Sequence, residues 1–402
     1  MLWATMAVPV PAGASPDAAP SAARTAAPTA ARTAAPTSSL AVAFQGNALH
    51  DGYSVRGVAA PPLRKEWSRK FTGGVSYPIV AEGRVFVTVA DPRARYGTTL
   101  HALDQRTGRN AWRPVKLGGT YWWSALTYGD GRVFALNHDG LLRAFAARTG
   151  KLLWSRQLRG YSYDSAPTYA GGRVYTTGGG VGVTVSAVDG RTGRVVWERT
   201  NDGGGSSSPA VTAGGVHVTF TCRLTYAFGV RSGNRLWTHD TGCVGGGGRT
   251  PAVAAGGLWA RDSWTGRAHS VLDLKTGRPL RSFGQGQDTL APAFSGGLVH
   301  LVDGGTLSAR PTGTPNRKRW TFADRTIGLP PLAVDDIVYA LSTTGRLWAI
   351  RAATGKAVWS TSTGVRSAIA EEDTVSHPLK GLAAGQGHLL VPIGSVLISY
   401  GK

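Results

Sequence analysis

Two stretches cluster aromatic rings, the second with a carboxylate: Tyr121-Trp122-Trp123-Ser124 and Tyr161-Ser162-Tyr163-Asp164-Ser165. Rings near an acid and an arginine suit a flat or sugar-like ligand. The same rings suit packing between strands, and the residues leave both readings open. Arginine is supplied by Arg249, which follows the run Gly245 to Gly248, and by Arg261 beside Asp262. The glycines permit close backbone approach, or serve as a structural loop. No Gly-Lys-Ser/Thr follows, so the run is not a P-loop. Cys222 and Cys243 show no Cys-x-x-Cys or zinc spacing. In an exported chain they read as a disulfide, with two free thiols as the alternative. Asp288, Asp303 and His377 are isolated polar positions. No Ser/His/Asp or Gly-x-Ser-x-Gly arrangement occurs, and no paired carboxylates are assigned to calcium. No residue is therefore given a catalytic or metal-binding role.

The elements that must position these residues recur. Thr192-Gly193-Arg194-Val195-Val196-Trp197 has relatives at Thr107-Gly108 to Trp112, Thr149-Gly150 to Trp154, Ser232-Gly233 to Trp237, Thr276-Gly277 to Arg281 and Thr354-Gly355 to Trp359. Trp67 and Trp320 fit the same phase without the Thr-Gly. A period near forty residues marks a repeat architecture. Within residues 165–200, three short alternating runs and a fourth ending in Trp197-Glu198 are separated by turns such as Ala170-Gly171-Gly172-Arg173. Paired glycines there supply the positive φ of a hairpin. Four antiparallel strands per repeat make a propeller blade. The expectation is an all-β, eight-bladed propeller. A count of seven stays open if 286–323 is not a true blade. Lys65 to Phe71 is expected to complete the last sheet and so remove its free edge.

The run Leu100-His101-Ala102-Leu103-Asp104-Gln105-Arg106-Thr107-Gly108 to Trp112, echoed at Val185 to Asp189 and Leu347 to Arg351, resembles the quinoprotein-like (PQQ-like) β-propeller repeat. The resemblance covers about residue 44 to the end. The lead-in Phe44 to Tyr53 is similar to the segment preceding the first blade in secreted bacterial members. The resemblance implies that Trp67, Trp112, Trp154, Trp197, Trp237, Trp320 and Trp359 lock blades by packing on a neighbouring glycine. It also implies pyrroloquinoline quinone and calcium on the axis, with a catalytic Asp, a Trp floor and often a vicinal disulfide. This chain lacks adjacent cysteines and the long insertions that build such a centre. No cofactor is the first expectation, and quinone with calcium the alternative.

Residues 1–40 differ from the rest. Met1 to Ala14 looks like the tail of a secretory signal, and 15–39 is an Ala/Pro/Thr/Ser tract that reads as a disordered linker. Residues 41–402 form the propeller domain. The chain carries 44 basic against 23 acidic residues. Turns holding Arg84, Arg132 and Arg173, and others holding Arg106, Arg191 and Lys275, should share one face of the ring. That face suits an anionic surface, or its charge simply maintains solubility. Nothing resembles a module that reads nucleic acid sequence. The leading expectation is an exported, monomeric, non-catalytic module binding a protein, a cell-envelope polymer or a small molecule, secreted or held at the envelope. A reduced quinoprotein oxidoreductase acting on alcohols or sugars is the alternative, and a lyase or glycan-acting enzyme is a third reading by fold analogy alone.

Overall fold

The computed structural model describes residues 40–402 apart from 56, 59, 180–181, 206, 221–223, 243–247, 263–267, 285–289, 367, 373 and the side chain of 183. The expected Cys222–Cys243 pairing lies outside the described residues. Eight four-stranded antiparallel blades, one of them extended by Tyr53–Ser54 as a parallel fifth strand, make an eight-bladed propeller, with no helix among the described residues. Blades one to seven span 79–118, 124–157, 168–201, 210–240, 249–283, 293–321 and 332–362. The weakest repeat is a true blade, its outer strand shortened to Trp320–Thr321. Blade eight combines Ala383–Gly385, His388–Ile393 and Val396–Gly401 with Arg64–Lys70 from the other end of the chain. This closure pairs an outer edge that would otherwise be open to another chain.

The Thr-Gly and Trp positions meet between blades. The indole Nε1 of Trp67 donates to the Gln105 carbonyl at 2.8 Å, and Trp197 to that of Val230 at 3.1 Å. Trp112, Trp154, Trp237 and Trp320 make the equivalent bond to the next blade. Each of these six indoles lies on the turn glycine of that blade, so closely that a Cβ on Gly233 would fall 2.5 Å from Trp197. Aromatic rings on second strands pack against several indoles of the same blade: Phe134 on Trp154, Tyr175 on Trp197, His217 on Trp237 and His300 on Trp320. A buried indole hides much apolar area while its N–H keeps a partner. Where the series has Arg281, its guanidinium reaches the Thr312 carbonyl at 3.0 Å instead. Trp359 faces the closing blade, and its ring packs on Tyr400.

Residues 41–57 form a second closure on the axis. Ala41 exchanges backbone bonds with Val80 of blade one, and Val42 accepts from Tyr128 of blade two. The His50 ring bonds Thr168 of blade three at 3.0 Å. Ala48, Leu49, Asp51 and Gly52 accept from Val211, Val253, Phe294 and Ala333 of blades four to seven, and Gly57 from Gly387 of blade eight. The segment thus touches every inner strand in order and satisfies N–H groups that would otherwise face an open channel.

Candidate functional site: the axial pocket

Within five of the blades the first and third turns are hydrogen-bonded to each other, as in Gln105 N to Gly83 O and Gly190 N to Gly172 O. They therefore share a face. The 41–57 segment bonds the inner strands near that face and closes the channel there. On the axis lies a cavity of about 480 Å³, lined by Phe44 of this segment, by Gly304 and Gly305 of a second turn, and by Leu290, Val302, Ile327 and Pro330. Its charged lining is Arg249, Arg261, Glu371, Glu372 and Lys380.

The two glutamates and the lysine come from 363–382, the longest link between an outer strand and the next inner strand. This strap leaves blade seven and bonds Gly328 through Ala370. It reaches blade five through Glu372 and returns to blade one, where Tyr77 N meets Leu379 O. The Glu372 carboxylate pairs with the Arg261 guanidinium and accepts from the Thr250 amide at 2.9 Å. Burial would push this carboxyl up, but Arg261 and Thr250 outweigh it and hold it below its ordinary value. Behind Arg261, burial pushes Asp262 up against the opposing pull of the Ser270 bond and of His239, whose Nε2 lies 3.9 Å away. His269 is 4.0 Å from the same carboxylate, and burial followed by Arg261 and Arg249 drives its imidazole down to about 3. Burial lowers the Lys380 ammonium, with Glu371 acting in the other direction.

The residues singled out from sequence fall into two groups. Arg249 and Arg261 line the pocket, with Asp262 behind them. The aromatic pair stretches do not line it. Trp123 and Tyr163 are fully buried in the core shared by blades one to three. Trp122 is half-buried, 5.7 Å from Tyr96, and Tyr161 is 77% exposed. Asp164 is half-buried. Glu372, Lys380 and Phe44 were not anticipated. The available signals were the length of 363–382 and its Glu371-Glu372-Asp373 run in a basic chain.

Quinone and calcium can be tested against this lining. The cations suit carboxylates, but no group of three His, Cys, Asp or Glu able to hold a metal occurs among the described residues. The oxygens of Glu372 are already engaged, and the lining offers one aromatic ring, Phe44. These residues do not fit a calcium–quinone pair.

Buried histidines make stability pH-dependent. His217 and His300 are pushed by burial to about 4. Their folded values lie below the unfolded value, so the stabilisation is complete above pH 6.5 and is lost as pH falls towards 4. Each is expected to contribute up to roughly 3 kcal/mol. Urea midpoints measured from pH 7 to 4 should fall steeply, and H217F with H300F should flatten the curve while retaining the ring stacking. An unchanged slope would refute the assignment.

The geometry defines a closed β-propeller with a blind axial pocket. A family model described as "Outer membrane protein assembly factor BamB" matches residues 52–163 and 138–361, more than half of the chain. The chain belongs to this PQQ-like β-propeller repeat family. Among curated relatives, polyvinylalcohol dehydrogenase of Sphingopyxis sp. (strain 113P3) is 30% identical over 29% of this chain and 23% of its own length. Serine/threonine-protein kinase AfsK of Streptomyces coelicolor is 30% identical over 46% of this chain and 21% of its own. The matched stretches thus span less than a quarter of these relatives. BamB from Moraxella catarrhalis superposes with a TM-score of 0.63 at 18% identity, covering 85% of this chain and 98% of that one. Quinohemoprotein alcohol dehydrogenase from Comamonas testosteroni gives 0.70 at 15% identity, covering 90% and 81%. At such identities these structures share the fold.

Proposed function

We propose that the chain is an exported, monomeric, non-catalytic propeller that acts as a binding or scaffold module at the cell envelope. The carrying observation is the state of Glu372. This axial carboxylate is engaged by Arg261 and the Thr250 amide, above a floor built from the chain's own 41–57 segment. Such a carboxylate orders the pocket and is not free to move a proton or ligate a metal. The match to the assembly-factor family supports a partner-binding role. The dehydrogenase relatives favour the second reading, a quinone-dependent oxidoreductase acting on alcohols or sugars.

The turn face supplies the contact with an anionic envelope surface. Arg106, Arg109, Arg191, Arg194, Lys275 and Arg278 are all exposed there. Some turn arginines serve the ring itself: Arg84 donates to the Arg148 carbonyl and Arg173 to that of Val230. The exposed set is therefore the one to alter. Retention of the full chain on anionic envelope polymer should fall with salt, and R106E/R191E/K275E should weaken it at least tenfold. Salt-independent retention, or retention unchanged in the variant, would contradict the proposal.

A further inference from the structure

We propose that the axial pocket binds a small amphipathic carboxylate, its anionic head on Lys380 and its apolar body against Phe44, Leu290, Ile327 and Leu379. This rests on the binding-module reading and names the ligand class of the same pocket. Lys380 is only 7% exposed, yet it lines the cavity. Among the described residues it forms no hydrogen bond or salt bridge, and Glu371 acts on it only at longer range. A desolvated ammonium without a close counter-ion is costly unless an anion meets it.

The other charges around the pocket leave this position to Lys380. Glu372 is taken by Arg261 and Thr250, Arg249 is itself engaged, and Glu371 is exposed. His377 is the remaining titratable neighbour of Lys380, and it is half-buried. The rest of the wall is aliphatic apart from Phe44 and the two glycines. A cavity of about 480 Å³ is in the range that encloses small molecules. Apolar walls supply affinity for a tail, and a single buried ammonium selects an acid over an alcohol.

The test is calorimetric titration of the full chain with decanoate and with 1-decanol at pH 7. Decanoate should bind saturably and at least roughly tenfold more tightly, the ratio expected of one charge-assisted contact. Lys380→Met should erase the preference and Lys380→Arg should retain most of it. In the unaltered protein, decanoate should slow acylation of Lys380 by an amine-reactive ester, read by peptide mass. Equal affinities, a preference that survives Lys380→Met, or an unchanged acylation rate would overturn the proposal. Calcium-dependent quinone uptake would instead overturn the binding-module reading, and it is measured separately from the decanoate arms.

Discussion

Glu372→Ala should lower the unfolding free energy by about 3–5 kcal/mol, the cost of leaving one partner of a buried pair uncompensated. The Arg261 side chain is 2% exposed, so the loss falls on a largely desolvated guanidinium. The Thr250 amide loses its acceptor in the same substitution. The double variant Glu372→Ala/Arg261→Met should recover much of the loss, because removing both charges also removes their desolvation cost. Urea denaturation at pH 7 distinguishes the cases. A loss below about 1 kcal/mol, the value typical of a surface pair, would show that the pair is solvated and that the strap is not anchored by it.

Gly233→Val should cost roughly 3–5 kcal/mol for two separate reasons. Gly233 has φ of +68°, where a β-branched residue is strained. Its Cβ would also lie 2.5 Å from the Trp197 ring. Trp197→Ala alone removes a large buried ring and should cost about 3–5 kcal/mol. In the double variant the clash disappears and only the backbone strain and the cavity remain, so the two losses should fall short of additive. Additive losses would mean that the indole does not rest on the glycine.

The blades were readable because one contact recurs. An indole on a turn glycine needs the Thr-Gly and the Trp at fixed spacing, and that spacing repeats from Gly108 to Gly355. The closing strand Arg64–Lys70 was readable for a related reason: blade eight lacks an outer strand of its own. The axial pocket was not readable in the same way. Glu372 and Lys380 sit in a link with no repeat partner, and their neighbours Arg261 and Phe44 are far away in sequence. The ring around the axis is equally non-local. Ala48 and Val211 meet only because eight inner strands present their edges to one crossing segment. The aromatic stretches left two readings open for a simpler reason. Trp123 and Tyr163 are as well suited to a core as to a ligand, and in the links ahead of two inner strands they turn inward, while Trp122 stays half-buried and Tyr161 exposed.

Absorbance titration of the full chain with pyrroloquinoline quinone, with and without calcium, is the decisive measurement. A propeller whose axial carboxylate is held by Arg261 should show no calcium-dependent saturation and no dye reduction with alcohols or sugars. Tight, saturable uptake that requires calcium would contradict the binding-module reading and place the chain among the quinone-dependent oxidoreductases.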